Sequence, residues 1–381
     1  MDLTYPSDQI AFRERLRAWL ASNVPRDLVS PDTREGFEQH RAWERRLFDA
    51  GFTGISWPAE YGGRALDVVS QAIFEEEYLL SNGPERINVV GEKLMGRTLM
   101  KHGTDEQRAR WLPRILTSED VWSQGFSEPD AGSDLANVQT RATRAGDEWV
   151  IDGQKIWTSY GAFADWIFVL VRTDPSAERH RGLSFIAVDM ASEGVEARPI
   201  VQLDGHAGFA EVFFTAVHAP VSHTIGDVND GWSVALSTLG FERDAPARPA
   251  ARYERDLREL IAIARARDVW DDPSVRDAIG GLAARVETYR LHTLRTLTRL
   301  QRGGSIGDDA SVTKLLWSEL ERDLFEYGLS LLGPYAGALE GTPAAVSFDN
   351  RYWYARAATI YAGTSEIQNN IVAERILGLP R

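Results

Sequence analysis

The sequence predicts a mainly α-helical protein with a β domain inserted between two helical regions. Residues 1–120 and 231–381 repeat apolar side chains at helical spacing, whereas residues 121–230 combine short β-branched and aromatic runs with turn residues. A chain of 381 residues is long enough for more than one structural domain. We therefore predict an N-terminal helical domain (1–120), a central β domain (121–230) and a C-terminal helical bundle (231–381).

Composition excludes several classes of function. The chain has no cysteine, which excludes disulfides and thiol nucleophiles, and its seven histidines lack the HxxxH or HExxH spacing of a zinc site. The net charge of −14 argues against a nucleic-acid or anionic-membrane surface. The chain has no run of about 18 apolar residues, and its N-terminus lacks the apolar core of a signal peptide. We expect a cytoplasmic protein with no metal centre and no membrane insertion.

Helices are predicted on both sides of the β domain. Ser7 can cap a first helix over 7–21, and four more are predicted over 36–50, 68–80, 91–102 and 105–116. The C-terminal region predicts helices over 231–239, 251–266, 273–301, 311–332 and 365–377. Ser365 can cap the last of these, and Gly378 and Pro380 end it. The long helices lack strict heptads, which favours a bundle with subunit contacts.

The central region predicts strands and one hairpin. The segment EWVIDGQKIWTS, residues 148–159, places the turn dipeptide Asp152-Gly153 between two candidate strands. Further strands are predicted over 165–173, 181–190, 195–202 and 210–220.

A polar loop precedes these strands. In WSQGFSEPDAGSDLA, residues 122–136, Pro129 and Gly132 favour irregular backbone, and the hydroxyls of Ser127 and Ser133 can face a polar heterocycle. A capped surface loop is the alternative, which loop statistics alone favour by about two to one.

Three segments in register resemble the flavin-dependent acyl-CoA dehydrogenase family across essentially the whole chain. QGFSEPDAGSD (124–134) resembles the family's TEPxAGSD signature, GQKIWTS (153–159) resembles its β-domain segment, and IYAGTSEIQNNIVAERILG (360–378) resembles its closing motif. The resemblance implies a central β-barrel-like domain, a C-terminal four-helix bundle and bound FAD. It also implies α,β-dehydrogenation of an acyl-CoA, with proton removal by a carboxylate and hydride transfer to flavin N5.

The resemblance also implies site residues, carried over position by position. Trp157 falls where a tryptophan packs on the flavin ring, and Ser159 falls where a hydroxyl approaches N5. The implied cofactor-binding residues are Gln124, Phe126, Ser127, Trp157, Ser159, Tyr361, Thr364 and Glu366. The implied substrate-binding residues are Ser133 and Gly363.

The catalytic base is expected on the first long helix of the C-terminal region. Many relatives carry a glutamate directly before the tail's Gly-Thr step, but Ala362 stands there and cannot accept a proton. The isovaleryl-CoA and long-chain enzymes instead use a Glu-Arg pair, which Glu242 and Arg243 match. Burial would raise the pKa of such a carboxylate and strengthen it as a base. A solvated ion pair is the alternative reading.

Three further residues have implied roles. The backbone N–H of Ala362 is expected to hydrogen-bond the thioester carbonyl, and Arg243 is expected to orient the pocket or to form a salt bridge. Glu366 is expected to interact with the helix dipole and to contact flavin, rather than to act as the base.

The adenosine-binding motifs of the family are not intact. The first region reads ARARDVWDDPSVRD, where Arg267 could replace the usual arginine, and the second reads LSLLGPYAG, with Ser330 and Gly333-Pro334 in place of glutamine and a double glycine. This departure makes a hetero-oligomer an alternative to an assembly of identical chains. The resemblance implies a homotetramer or a two-plus-two heterotetramer, with an electron-transfer flavoprotein or similar protein as electron acceptor. An acyl-CoA oxidase-like enzyme and a non-catalytic partner subunit remain alternatives.

Overall fold

The computed structural model describes residues 5–244, 248–333 and 350–380, except for the side chains of residues 242–244. The chain divides into two units. Unit 1 contains Met1–Asn23, Val68–Gly83 and Arg243–Arg381, and unit 2 contains Val24–Asp67 and Pro84–Glu242. The N-terminal helices are therefore divided between the units, because the first and third cluster with the C-terminal helices.

Unit 2 contains helices whose apolar side chains share a core with one face of a sheet. The helices are α2 (Arg34–Asp49), α4 (Gly96–His102) and α5 (Asp105–Leu116), and a π-helix, Val90–Met95, directly precedes α4. The predicted helix over 91–102 is thus a π-helix followed by an α-helix. Gly96 permits close packing at their junction, because a Cβ there would lie 2.1 Å from Trp57 Cζ2.

The central sheet of unit 2 has seven strands. They are β1 (Trp122–Gly125), β2 (Arg141–Ala145), β3 (Glu148–Ser159), β4 (Trp166–Arg172), β5 (Leu183–Asp189), β6 (Val195–Ile200) and β7 (Phe209–Pro220). Their order is β1-β4-β2-β3-β7-β6, with β5 paired to β4. The β1–β4 and β2–β4 pairs are parallel and the others are antiparallel.

The predicted hairpin at Asp152-Gly153 is wrong. Both residues lie inside β3, which continues from Glu148 to Ser159 with a register shift at Gly153. The turn lies between β2 and β3, where Ala145 pairs with Glu148 across residues 146 and 147. Gly153 has a φ of +150°, so the glycine serves an irregular strand position and not a reversal.

Unit 1 is helical. Its helices are α1 (Ser7–Asn23), α3 (Val68–Leu80), α7 (Ala250–Ala266), α8 (Pro273–Gln301), α9 (Asp309–Leu332) and α10 (Ser365–Ile371), and a π-helix, Val372–Ile376, follows α10. Helix α6 spans Gly231–Asp244, and its residues through Glu242 belong to unit 2. The core of unit 1 contains Leu260, Tyr289, Leu324 and Phe325, which are 1% exposed or less.

The predicted fold class is confirmed: helical regions flank a central curled sheet. The domain boundaries at residues 120 and 230 stay predictions. No helix within the described ranges has the length and apolarity needed to cross a membrane.

Candidate functional site

The loop that carries Ser127 is bonded directly to strand β3. Ile156 N donates to Ser127 O over 2.9 Å, and Lys155 Nζ donates to Phe126 O over 3.1 Å. Lys155 Nζ also donates to Glu128 Oε1 over 2.7 Å. The loop with Ser127 and the strand segment with Trp157, which the sequence separates by about 30 residues, therefore lie side by side.

The Lys155–Glu128 pair is the most deeply buried ion pair of this loop. Burial lowers the pKa of Lys155 to about 8, although the Glu128 carboxylate opposes that shift. Burial alone would raise the pKa of Glu128, but Lys155 and the hydrogen bonds from Thr140 and Gln139 outweigh it and lower that pKa. Lys155 also donates to Leu170 O of β4 over 2.7 Å. The pair thus fastens the loop to two strands.

Trp157 is held on a β-bulge with its indole displayed outward. The register between β3 and β7 shifts between Lys155 and Thr158, and Trp157 has a φ of +60°. The side chain is 54% exposed, and the edge of its ring faces Phe209 at a centroid distance of 6.1 Å. A bulge re-aims a side chain, and a non-glycine residue in the left-handed region is uncommon. The fold therefore presents a flat aromatic surface at the cost of local backbone strain.

Ser159 and Gln124 lie on β3 and β1, two strands that a side-chain hydrogen bond connects. The main chain of Ser159 ends β3, and its carbonyl oxygen accepts a hydrogen bond from Ser123 Oγ over 2.7 Å. Gln124 lies on β1 in register with Phe168 and is half-buried.

Phe126 and Ser133 contribute differently to the predicted loop. The Phe126 ring is buried, at 5.6 Å from the Phe168 ring and 5.9 Å from the Phe185 ring. Phe126 therefore offers a predicted ligand only its backbone. Ser133 is exposed.

The tail segment forms a strained turn before α10. Ala362 and Gly363 have φ values of +55° and +86°. The buried Gln368 donates through Nε2 to Ala362 O over 3.1 Å, and a Cβ on Gly363 would lie 2.3 Å from that nitrogen. No acceptor within the described ranges receives the N–H of Ala362. This backbone donor can thus serve a ligand.

The cap of α10 is Thr364, so the expectation that Ser365 caps this helix is wrong. Thr364 Oγ1 accepts from Ile367 N over 3.3 Å. Glu366 is exposed in the first turn of α10, and Tyr361 is half-buried and accepts a hydrogen bond from Arg248. Thr364, Glu366 and Tyr361 therefore lie at the start of α10 or in the turn that leads into it.

The expected catalytic pair lies at the end of α6, which is five residues longer than its prediction over 231–239. The main chain of Glu242 and Arg243 is helical, and both side chains lie outside the described part of the structure. Within unit 2, α6 packs on α4 through a 2.8 Å hydrogen bond between the buried hydroxyls of Thr98 and Thr238. Arg97 Nη1 also donates to Phe241 O over 3.3 Å.

The region expected to bind adenosine is described only in part. Arg267 ends α7 and donates through Nη1 to Leu332 O over 3.0 Å, so it joins the ends of two helices. Ser330 Oγ donates to Tyr327 O over 2.7 Å. Pro334 and the segment after it lie outside the described residues.

Sequence reasoning missed a cationic cavity in unit 2. Its volume is about 610 Å³, and it is lined by Lys101, His180, Arg181, Asn229, Asp230, Trp232, Ser233, Leu236 and Ser237. The His180 and Trp232 rings lie 6.2 Å apart, and the N-terminus of α6 at Gly231 adjoins the cavity. Asp230 is acidic, but no described carboxylate forms an ion pair with Lys101 or Arg181.

The cavity has the chemistry of a site for an anion that carries an aromatic ring. Cationic side chains and a helix N-terminus attract negative charge, and the two rings can pack against a flat group. The run Arg179-His180-Arg181 in an acidic chain was the available sequence signal. Among the described residues, no group of three or more His, Asp or Glu side chains is placed to hold a metal ion.

Comparisons with known proteins identify the family of this chain. The N-terminal, middle and C-terminal domain profiles of the acyl-CoA dehydrogenases match residues 6–119, 123–217 and 229–377. The chain is 40% identical to acyl-CoA dehydrogenase IpdE1 of Mycolicibacterium smegmatis, with 97% of each chain covered. It is 33% identical to the solved Tcur3481-Tcur3483 steroid ACAD, with a TM-score of 0.88 and 100% of each chain covered.

A second solved structure extends the comparison. The ChsE4-ChsE5 complex from Mycobacterium tuberculosis contains a chain 30% identical to this one, with a TM-score of 0.86 and 100% of each chain covered. Family profiles therefore match along most of the chain, and relatives above 30% identity cover it nearly end to end. The chain is an oxidoreductase that belongs to the acyl-CoA dehydrogenase family.

Proposed function

We propose that this protein catalyses FAD-dependent α,β-dehydrogenation of an acyl-CoA thioester to the trans-2-enoyl-CoA. The observation that carries the proposal is the exposed indole of Trp157, displayed by a strained bulge beside the Ser127 loop. An exposed tryptophan at a strained position has no role in the core of its own unit. It suits a flat ligand that covers the ring.

The residues present fit an isoalloxazine ring and its polar edge. Trp157 supplies the ring surface, and Ser127 and Ser159 lie on the two segments that the Lys155–Glu128 pair joins. Gln124 lies on β1. Thr364 and Glu366, at the start of α10, stay predicted flavin contacts. When bound, FAD would supply the acceptor for the hydride that leaves the β-carbon of the substrate.

Glu242 is the proposed base that removes the α-proton. It lies on α6, in the Glu-Arg arrangement of the isovaleryl-CoA and long-chain enzymes. Ala362, at the alternative position, has no group that can accept a proton. Arg243 beside it would orient the pocket.

Ala362 contributes through its backbone. Its N–H has no acceptor among the described residues, and the left-handed turn with Gly363 holds this donor outside the hydrogen bonding of α10. A donor fixed before the reaction stabilises the negative charge that develops on the thioester oxygen as the α-proton leaves.

The cationic cavity is the proposed site for the nucleotide end of CoA. That end combines phosphates with an adenine ring, and the cavity combines Lys101 and Arg181 with the rings of His180 and Trp232. In a chain with a net charge of −14, a local cationic site also guides an anionic substrate to the protein.

The relatives suggest the acyl group and the assembly. The solved relative is named a steroid ACAD, and the second is a complex of two different chains. We propose a polycyclic, steroid-derived acyl group and a heteromeric assembly, with an electron-transfer flavoprotein or similar protein as acceptor. Exposed apolar side chains in the tail, such as Ile360, Leu377 and Leu379, would be covered by a second subunit.

Two measurements test the proposal. The protein, alone and with a candidate partner subunit, should show the visible absorption of bound FAD, and an acyl-CoA should bleach it without oxygen. Glu242→Gln should retain FAD and lower the rate of bleaching by about 10²–10⁴, because it removes the base. Absence of FAD in every preparation would refute the proposal. Rapid peroxide formation in air would instead indicate an oxidase.

A further inference from the structure

The turn that carries Ala362 is held by three side chains from different parts of unit 1. Lys314 Nζ on α9 donates over 2.5 Å to the carbonyl oxygen of Ala358, near the start of the turn. Gln368 Nε2 on α10 donates to Ala362 O over 3.1 Å. Arg248, directly before α7, donates through Nη2 to the hydroxyl of the neighbouring tyrosine, residue 361. The turn is thus anchored before, at and beside Ala362.

Arg248 is a largely buried cation, with a side chain 14% exposed, that contacts neighbours on several sides. Its Nη1 donates to the carboxylate of Glu321, whose side chain is 1% exposed. The guanidinium carbon lies 4.3 Å from the centre of the Trp317 ring, and Tyr289 Oη donates to Arg248 O over 2.9 Å. Burial alone would lower the pKa of Arg248, but the Glu321 carboxylate and nearby tyrosines raise it. The guanidinium therefore stays charged, and it has partners on several sides.

The backbone at Ala362 needs such support. A non-glycine residue in the left-handed region costs about 1–2 kcal/mol, so other contacts must hold the turn in this conformation. Tyr361 directly precedes Ala362, and its ring also lies 5.8 Å from the Trp317 ring. Arg248 holds the hydroxyl of Tyr361, and Trp317 packs near its ring. These contacts limit rotation of the peptide that carries the Ala362 N–H.

We infer that Arg248 is a positioning residue, which fixes Tyr361 and thereby directs the Ala362 N–H at the thioester carbonyl. This inference rests on the proposed function. Arg248 touches neither the cofactor nor the reacting atoms in this scheme. It acts through Tyr361, and Glu321 holds it in place.

The test compares Arg248→Met and Tyr361→Phe with Arg252→Met in the complete holoenzyme. Arg252 also donates to Glu321, over 3.1 Å, but its hydrogen bond goes to that carboxylate and not to Tyr361. Two readouts are measured: the rate of flavin reduction by a saturating acyl-CoA, and the ultraviolet red shift of a bound aromatic enoyl-CoA. That red shift reports polarisation of the carbonyl, which a loss of general stability does not change.

Arg248→Met and Tyr361→Phe should each lower the reduction rate by about 10- to 100-fold and decrease the red shift. This loss is smaller than the roughly 10²–10³ lost when an oxyanion donor is deleted. The double variant should be no slower than the slower single variant, because both changes break one hydrogen bond. Arg252→Met should keep the wild-type red shift.

The outcomes separate the two proposals. If the wild-type protein binds no FAD, the proposed function fails. If it binds FAD and is reduced, but Tyr361→Phe and Arg248→Met both keep the wild-type rate and red shift, only the positioning role is refuted. Should Arg248→Met not fold, Tyr361→Phe decides the result, because it removes only a hydroxyl.

Discussion

Replacing Lys155 by methionine should destabilise unit 2 and release the Ser127 loop. Methionine retains an unbranched apolar chain but removes the charge, which leaves the Glu128 carboxylate buried, with a side chain 6% exposed. Breaking a buried ion pair by removing one partner costs about 3–5 kcal/mol. The Phe126 and Leu170 carbonyl oxygens also lose a donor, so the upper part of this range is expected.

Thermal unfolding followed by far-UV circular dichroism measures this loss. For a folding unit of 150–250 residues, 1 kcal/mol shifts Tm by about 2–4 °C, so a loss of about 4–5 kcal/mol in Lys155→Met should lower Tm by about 8–20 °C. FAD affinity should fall in the same variant, because Phe126 O loses its tie to β3. Flavin fluorescence during titration with FAD measures that affinity.

Two further variants identify the cause. Arg198→Met breaks an ion pair of 2.8 Å with Glu196, but both side chains are more than half exposed, so its effect on Tm should be small. Combining Lys155→Met with Glu128→Gln removes the uncompensated charge and should recover part of the stability. If Lys155→Met unfolds like Arg198→Met and retains FAD, the pair does not fasten the loop.

Three other predictions address the base, the cavity and pH dependence. Glu366→Gln should leave the rate of flavin reduction by acyl-CoA within about threefold of wild type and should act on FAD retention. A carboxylate in the first turn contributes only about 0.3–1 kcal/mol through the helix dipole. If reduction is abolished while FAD stays bound, Glu366 is the base. Lys101→Gln combined with Arg181→Gln removes two cations from the cavity. The double variant should bind CoA more weakly in calorimetry, and the affinity should depend less on salt concentration. An unchanged affinity would place the CoA site elsewhere. The folded pKa of Glu128 is lowered, so its contribution to stability is complete above the ordinary glutamate pKa of about 4.3 and is lost as pH falls through the lower folded value. The stability difference between wild type and Glu128→Gln should therefore decrease in that acidic range, and a pH-independent difference would contradict the assignment.

The sequence by itself determined the helix–sheet–helix order and the family. The periodicity of a helix or strand is set by residues close together in the chain, so it can be read from the sequence. The predicted helices over 68–80, 105–116 and 273–301 match observed helices. The three motifs carried family membership because their residue order is specific. Where local signals were ambiguous, sequence reasoning failed: Asp152-Gly153 suits a turn or an irregular strand, and Thr364 and Ser365 are both good caps.

Only the tertiary structure decided which distant residues meet. The pairing of Lys155 with Glu128 and its complete burial are visible only in the folded chain. The cavity joins Lys101, Arg181 and Trp232, which lie up to 131 positions apart, and no local pattern predicts their proximity. Arg248 likewise meets Tyr361 across 113 positions. Burial, pKa shifts and hydrogen-bond partners arise from long-range packing, whereas a sequence pattern records the preferences of near neighbours.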